Sequence, residues 1–211
     1  MIKSDSFSPA IKTPSFARRL DVYEVERVHS RFWSLVSERH VRYRENRCYP
    51  LYGARPNAGS RILPDVFRPL KETGGWSQEE AMKRFFMEYA GPLVSVWPEG
   101  YSHCGTFSGF YSDKFLSWVD RSLVFGPAFI MSQDRDMALV VDRDLRFSTA
   151  IATEQVIMDF DKCFGGRDRI EKNFLAYVEK GGVGEGVDDL DWVVRELMSS
   201  GACGETEVHR I

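Results

Sequence analysis

The clearest pattern of apolar and polar positions lies between residues 113 and 151. From residue 113 to 123, apolar side chains recur at helical spacing and predict an amphipathic helix. Three short apolar runs follow, at about 125–131, 137–141 and 145–151, and they indicate β-strands. Aspartates between the runs favour turns, because their side chains hydrogen-bond to nearby backbone groups. The pattern therefore predicts a helix followed by a three-stranded antiparallel meander.

Four further segments have the character of helices. Residues 21–41 and 168–179 each carry an apolar stripe with helical periodicity. Residues 78–90 carry another, and Ser77 stands where a capping hydroxyl is expected. Residues 188–198 open with three aspartates, which suit the positive end of a helix dipole.

The remaining segments complete the predicted architecture. Residues 48–70 are expected to be irregular, because four prolines exclude a long helix. Residues 156–160 predict a fourth strand, and the glycines of 181–186 predict a flexible loop. We therefore expect an α+β fold, with an antiparallel sheet built on about 125–160 and several helices packed on one of its faces.

The organisation along the chain is also predicted from composition. Residues 1–20 are expected to form an extended arm, 21–198 a single α+β domain, and 199–211 a mobile tail. The start of the sequence lacks the apolar segment of a secretory signal, and no apolar run could span a bilayer, so a cytoplasmic protein without membrane contact is expected. No C-x-x-C pair is present, which favours reduced thiols over a zinc site and predicts no cofactor; the cysteines are Cys48, Cys104, Cys163 and Cys203.

The charge is unevenly distributed along the chain. Residues 1–80 hold 14 basic and 10 acidic side chains, whereas residues 81–211 hold 14 basic and 21 acidic ones. This asymmetry is compatible with an electrostatically steered protein partner, and equally with solvated surfaces. The arginine-rich segment 39–47 contains an aromatic residue, as some nucleic-acid-binding segments do, but a helix C-terminus is the favoured interpretation and nucleic acid is not the expected partner.

Two local patterns suggest chemistry without meeting its requirements. His103 and Cys104 are adjacent, but neighbours in a strand point to opposite faces, which argues against a catalytic dyad. The glycines of 181–186 lack the Gly-Lys-Ser/Thr of a phosphate-binding loop and follow a predicted helix rather than a strand. No catalytic residue is assigned from the sequence.

Four aspartates form two Asp-x-Asp turns, at Asp134 and Asp136 and at Asp142 and Asp144. Each turn contains an arginine that competes for the carboxylates, so solvated hairpin turns are favoured over a metal site. If the two turns lie at opposite ends of the middle strand, they cannot share an ion. Their carboxylates could instead contact a basic partner.

Residues 107–153 resemble the C-terminal part of bacterial immunity proteins from polymorphic toxin systems. The resemblance is carried by an apolar helix containing Trp118, then a strand, then the run ALVVDRDLRFSTAI from Ala138 to Ile151. In such proteins a meander of this kind presents an aspartate turn. The resemblance implies a non-enzymatic inhibitor that covers the active site of a toxin.

Residues 52–68 are similar to the FRG domain in a second, shorter pattern. Gly53 matches, and so do Leu63 and Pro64, with Phe67 and Arg68 after them. The family has an arginine where this chain has Tyr52, so the resemblance implies a degenerate relative.

Two classes of function follow. The favoured hypothesis is an immunity or antitoxin-type protein that contacts its toxin through Asp134, Asp136, Asp142, Asp144, Asp188, Asp189 and Asp191. The alternative is a nucleotide- or nucleic-acid-handling enzyme of degenerate FRG type, with Glu154 opposite an arginine-rich loop formed by Tyr52, Arg55, Arg61 and Arg68.

Overall fold

The computed structural model describes residues 12–43, 47–67, 77–99, 105–122 and 126–183. Within them lie nine strands, five α-helices and a π-helical segment. The strands are β1 Ala17–Arg19, β2 Val36–Tyr43, β3 Arg47–Ala54, β4 Ala58–Pro64, β5 Leu93–Pro98, β6 Phe107–Phe110, β7 Ala128–Ser132, β8 Met137–Asp142 and β9 Phe147–Thr153. The helices are α1 Val22–Leu35, α2 Gln78–Phe85, α3 Asp113–Ser122, α4 Glu154–Phe164 and α5 Arg167–Glu179, and the π-helical segment is Phe86–Ala90.

Seven strands form one antiparallel sheet in the order β1-β6-β5-β7-β8-β9-β4, and β2 and β3 form a separate hairpin. The predicted α+β class and the antiparallel arrangement are confirmed. The meander is confirmed as well, because β7, β8 and β9 are consecutive neighbours joined by two short turns. None of the helices in the described part of the chain is long and apolar enough to cross a membrane.

Both faces of the sheet are buried. Along β8, Met137, Leu139 and Val141 belong to the core that contains α2, α3 and α4, with Ile170 of α5 at its margin. The alternating residues Ala138 and Val140 belong to a second core that contains α1 and the β2–β3 hairpin. Several helices pack on one face, as predicted, and α1 packs on the other face. A continuous apolar strand such as β8 is typical of a sheet covered on both sides.

The helix predicted for residues 21–41 ends earlier, at Leu35. It begins with a capping box, in which Asp21 accepts from the amide of Glu24 and the Glu24 carboxylate accepts from the amide of Asp21. Four residues beyond Leu35 the apolar stripe reaches Arg39, so a longer helix would direct a charge into the core. The chain instead continues as β2, which pairs with β3 over eight residues.

Residues 48–67 are not irregular, because most of them form β3 and β4, and residues 68–70 lie outside the described part of the chain. Their prolines exclude helices but not edge strands, which have backbone N–H groups without a ladder partner. β4 is an edge of the large sheet, and β3 belongs to a two-stranded ribbon. The predicted irregular segment was wrong for this reason.

Residues 156–160 belong to α4 and not to a fourth strand. Ile157, Phe160 and Phe164 are buried at spacings of three and four residues, which is a helical period. The left-handed Gly165 ends α4, and α5 then follows close to its predicted position. The π-helical segment continues α2 to residue 90, near the predicted end of that helix.

The arm expected at residues 1–20 includes strand β1, which pairs with β6. Leu20, directly after β1, is buried in the core on the α1 side. The helix predicted at 188–198 and the tail at 199–211 lie outside the described residues, as do residues 1–11.

A half-buried ion pair connects the edge strand β4 to α4. Arg61 donates from Nε to Asp161 Oδ1 at 2.7 Å and from Nη2 to Asp161 Oδ2 at 2.5 Å. The two side chains are only 12% and 18% exposed. This two-point contact orients both groups, and removal of one partner leaves the other charge poorly solvated.

We expect Arg61→Met to lower the free energy of unfolding by about 3 kcal/mol, because Asp161 then loses its partner. Arg61→Met combined with Asp161→Leu should be less destabilised than the single variant, since no unpaired charge remains. Urea denaturation of the wild type, Arg61→Met, Asp161→Leu and the double variant measures this difference. A double variant that is destabilised by the sum of the two single effects would contradict the coupling.

Candidate protein-binding surface

The two predicted acidic turns lie at opposite ends of β8. The first, residues 133–136, connects β7 to β8, and the second, residues 143–146, connects β8 to β9. A six-residue strand separates them by about 17 Å. The turns therefore belong to different ends of the sheet and cannot share an ion.

The 133–136 turn is held from outside by Arg31 of α1. The guanidinium donates from Nη1 to the carbonyl of Gln133 at 2.8 Å and from Nη2 to the carbonyl of Arg135 at 2.8 Å. It also binds Asp136 Oδ1 at 3.0 Å through Nη2. One planar side chain thus binds three acceptors of the same turn, a geometry that lysine cannot reproduce.

The same turn is held from inside by Ser132, which is fully buried. Its hydroxyl donates to the carbonyl of Ala90 at 2.5 Å and accepts from the amides of Asp134 and Arg135 at 3.2 and 3.1 Å. The amide of Gln133 donates to the carbonyl of Leu93 at 2.9 Å. These contacts satisfy the backbone groups of the turn and fix its conformation.

Gln133 also anchors the turn through its side chain. Its Nε2 donates to Ser95 Oγ on β5 and to Ser108 Oγ on β6, each at 2.8 Å. Both serines are buried, and their hydroxyls would be costly to leave without partners. The turn is therefore connected to three strands of the sheet.

The carboxylates of the 133–136 turn remain at the surface. The side chain of Asp136 is 52% exposed despite its bond to Arg31. Asp134 is exposed, and its carboxylate lies against Gly91, whose φ of +83° and lack of a Cβ permit the approach. Among the described residues, Asp134 has no ion-pair partner.

The charge of Arg135 acts on a carboxylate of α4. A hydrogen bond from Lys162 lowers the pKa of Asp159 on α4, and the charge of Arg135 contributes to the same shift. Arg31 thus binds Asp136 of the turn, Arg135 acts on α4, and the Asp134 residue is exposed.

The 143–146 turn presents less acidity than the sequence suggested. Asp142 is only 3% exposed and accepts from the amide of Leu145 at 2.8 Å, so it caps the turn. Asp144 is exposed. Arg143 binds the carboxylate of Asp120 at 2.7 Å and its carbonyl at 2.8 Å. Of the two predicted contacts in this turn, only Asp144 is on the surface; Asp188, Asp189 and Asp191 lie outside the described residues.

A cavity of about 430 Å³ lies along α3, near the 143–146 turn. Three carboxylates line it, and each has a cationic partner within the chain. Lys83 binds Glu79 at 2.5 Å and Asp113 at 2.8 Å, and Arg143 binds Asp120. These pairs join α2 to α3 and α3 to the turn.

The described residues of the alternative, arginine-rich site do not share a cleft. Tyr52 faces the α1 side, where its hydroxyl donates to Glu99 and burial raises its pKa far above the usual range. Arg55 donates to the carbonyls of Trp33 at 2.7 Å and Val36 at 3.2 Å. Arg61 binds Asp161 of α4. Arg68 lies outside the described residues, and Glu154 is exposed at the start of α4.

His29 packs between α1 and the large sheet. Its ring stacks on Trp97 with centroids 4.4 Å apart, and its Nε2 lies 3.1 Å from Thr106 Oγ1. Burial lowers the pKa of the half-buried imidazole. The ring joins α1 to β5 and to the segment before β6.

We expect Arg31→Ala to lower the free energy of unfolding by about 1–3 kcal/mol, because three acceptors lose a charged donor. Arg31→Lys should recover less than half of that loss. Arg27→Ala, on the exposed side of the same helix, should change stability by less than about 0.5 kcal/mol. Hydrogen exchange at the amides of 134–137 provides a local measurement, and equal protection in wild type and Arg31→Ala would contradict the role of Arg31.

Burial of His29 should make the free energy of unfolding decrease as the pH is lowered. The unfolded ring has a pKa of about 6.5 and the folded ring a lower one, so the unfolded state binds more protons as pH falls below about 7. The stability that the neutral ring contributes is lost as the pH falls from 6.5 to the pKa of the folded ring. His29→Gln should show a shallower decline between pH 7 and pH 5 in urea unfolding, whereas parallel curves for the two proteins would exclude this role.

Comparison of the chain with protein-family models, curated proteins and solved structures gives no match. The similarities to immunity proteins and to the FRG domain therefore stay predictions from the sequence.

Proposed function

We propose that this chain is a non-enzymatic binding protein of the immunity type, which neutralises a cognate toxin by covering its active or substrate-binding surface. The toxin would be held by the 133–136 turn. Asp134 would contact a basic residue of the toxin, with Asp136 beside it.

The observation that carries the proposal is the fixed conformation of an exposed acidic turn. Arg31 binds two of its carbonyls and one carboxylate, and the buried Ser132 binds two of its amides. A loop that is already ordered loses little conformational entropy when it binds. Such rigidity in a surface turn is typical of pre-organised recognition loops.

The sign of the charge supports a basic partner. Asp134 is exposed and has no ion-pair partner among the described residues, while the nearby Arg31 is bound to Asp136. The segment from residue 81 onward also carries an excess of seven acidic residues. Complementary charge mainly accelerates association and selects the orientation of the partner.

The enzymatic alternative has less support. Arg55 and Arg61 use their guanidinium groups within the fold, on a backbone pair and on Asp161. Tyr52 is buried on the other side of the sheet from Arg61. A nucleotide site of the FRG type would need these groups to converge on one ligand.

Co-expression of the chain with the product of the adjacent gene tests the proposal. We expect the two proteins to co-purify and the chain to protect cells from the growth defect that the partner causes. Asp134→Lys should weaken the complex by about 2 kcal/mol, roughly 30-fold, because it places like charges together.

Glu26→Lys is the matched control, since it reverses an exposed charge on α1 and should leave the affinity unchanged. Asp144→Lys tests whether the turn at the opposite end of β8 contributes to the affinity. A neighbouring product that is not toxic and does not bind would contradict the proposed function. Equal weakening by Asp134→Lys and Glu26→Lys would show that only the net charge matters.

A further inference from the structure

Phe110, the last residue of β6, exposes 64% of its surface. Its backbone is fixed, because β6 pairs with β1 on one side and with β5 on the other. The carbonyl of Phe110 also accepts from Ser112 Oγ at 3.2 Å. A large aromatic ring is thus presented to solvent from a rigid part of the sheet.

The ring lies beside the 133–136 turn. Phe110 pairs in register with Leu93 of β5, and the carbonyl of Leu93 accepts the amide of Gln133 at 2.9 Å. Two strand spacings, about 10 Å, therefore separate the backbone of Phe110 from that of Gln133.

Phe110 also faces the same side of the sheet as Arg31. Ser108, two residues earlier on β6, receives the Gln133 side chain at 2.8 Å. Residues two apart in a strand share a face, so Phe110 projects to the α1 side. The exposed ring therefore lies on the same side of the sheet as Arg31, at the end of the sheet that carries the 133–136 turn.

We propose that Phe110 is the apolar anchor of this surface and inserts into an apolar pocket of the partner that is flanked by lysine or arginine. This inference depends on the proposed function and specifies the chemistry of the partner. Asp134 selects the basic rim of that pocket, and Phe110 supplies the buried contact. Binding energy at protein interfaces is concentrated in a few such aromatic residues at the centre of a polar rim.

Tyr23 provides a matched control. It is 78% exposed, and it lies in the first turn of α1, at the opposite end of that helix from Arg31. Eight residues of helix place it about 12 Å farther along the axis. Removal of either exposed ring should leave the fold intact, which circular dichroism and the midpoint of thermal unfolding can verify.

The experiment measures the affinity of the purified full chain for the product of the adjacent gene. Phe110→Ala should weaken binding at least 30-fold, Phe110→Leu should recover part of the loss, and Tyr23→Ala should bind like wild type. Light scattering of the chain alone, with and without Phe110→Ala, should show no change in its oligomeric state.

Three results would overturn the inference. If Phe110→Ala binds like wild type while Asp134→Lys is weakened, Phe110 is not the anchor and the proposed function is unaffected. If Phe110→Ala dissociates an oligomer and leaves affinity for the partner unchanged, the ring is a contact between copies of the chain. If the wild-type chain does not bind the partner at all, both the inference and the proposed function fail.

Discussion

Burial of β7 and β8 on both faces is the constraint on which the rest of the structure depends. Ala128 and Ile130 of β7 face the core with α2, α3 and α4, and Phe129 and Met131 face α1 and the β2–β3 hairpin. Neither face can be left uncovered without exposing a large apolar area. The chain must therefore supply a layer on each side. Surface-exposed polar groups at the centre of the sheet are consequently restricted to the ends of its strands, where the turns lie.

Arg31 links this architecture to the candidate site. It belongs to α1 and lies beside the stripe of that helix that packs through Val28, Phe32 and Leu35. Each bond that orders the turn therefore also sets the position of α1 on the sheet. The rigidity of the 133–136 turn is thus a property of the helix–sheet packing and not of the turn alone.

The sequence predicted the parts of the fold whose signal is local. The meander and α5 were found because their apolar periods and turn residues lie within a few positions of one another. Strands β3 and β4 were missed because their prolines excluded a helix, and only pairing with β2 and β9 makes them strands. The segment that became α4 is short enough for its apolar residues to fit either period, and packing on α2 and the π-helical segment decides the outcome.

The candidate site also has a part that the sequence predicts and a part that it does not. Asp134 and Asp136 could be selected from the sequence because aspartates at a turn are a local pattern. Their environment could not, because Arg31 and Asp136 are 105 residues apart. Asp142 has the same sequence context as Asp134 and yet is buried, since it caps its own turn. Composition and spacing cannot distinguish a carboxylate that caps from one that faces solvent.

The two hydrogen bonds donated by the Gln133 amide have an evolutionary consequence. The amide group donates to two buried hydroxyls on two other strands, Ser95 and Ser108, so selection acts on the three positions together. Loss of the glutamine alone would leave both hydroxyls without this hydrogen-bond partner. Replacement of both serines by apolar residues would leave the amide without these two acceptors. Mutational drift at these positions is therefore expected to be concerted, so that orthologues exchange all three polar groups together or retain them all.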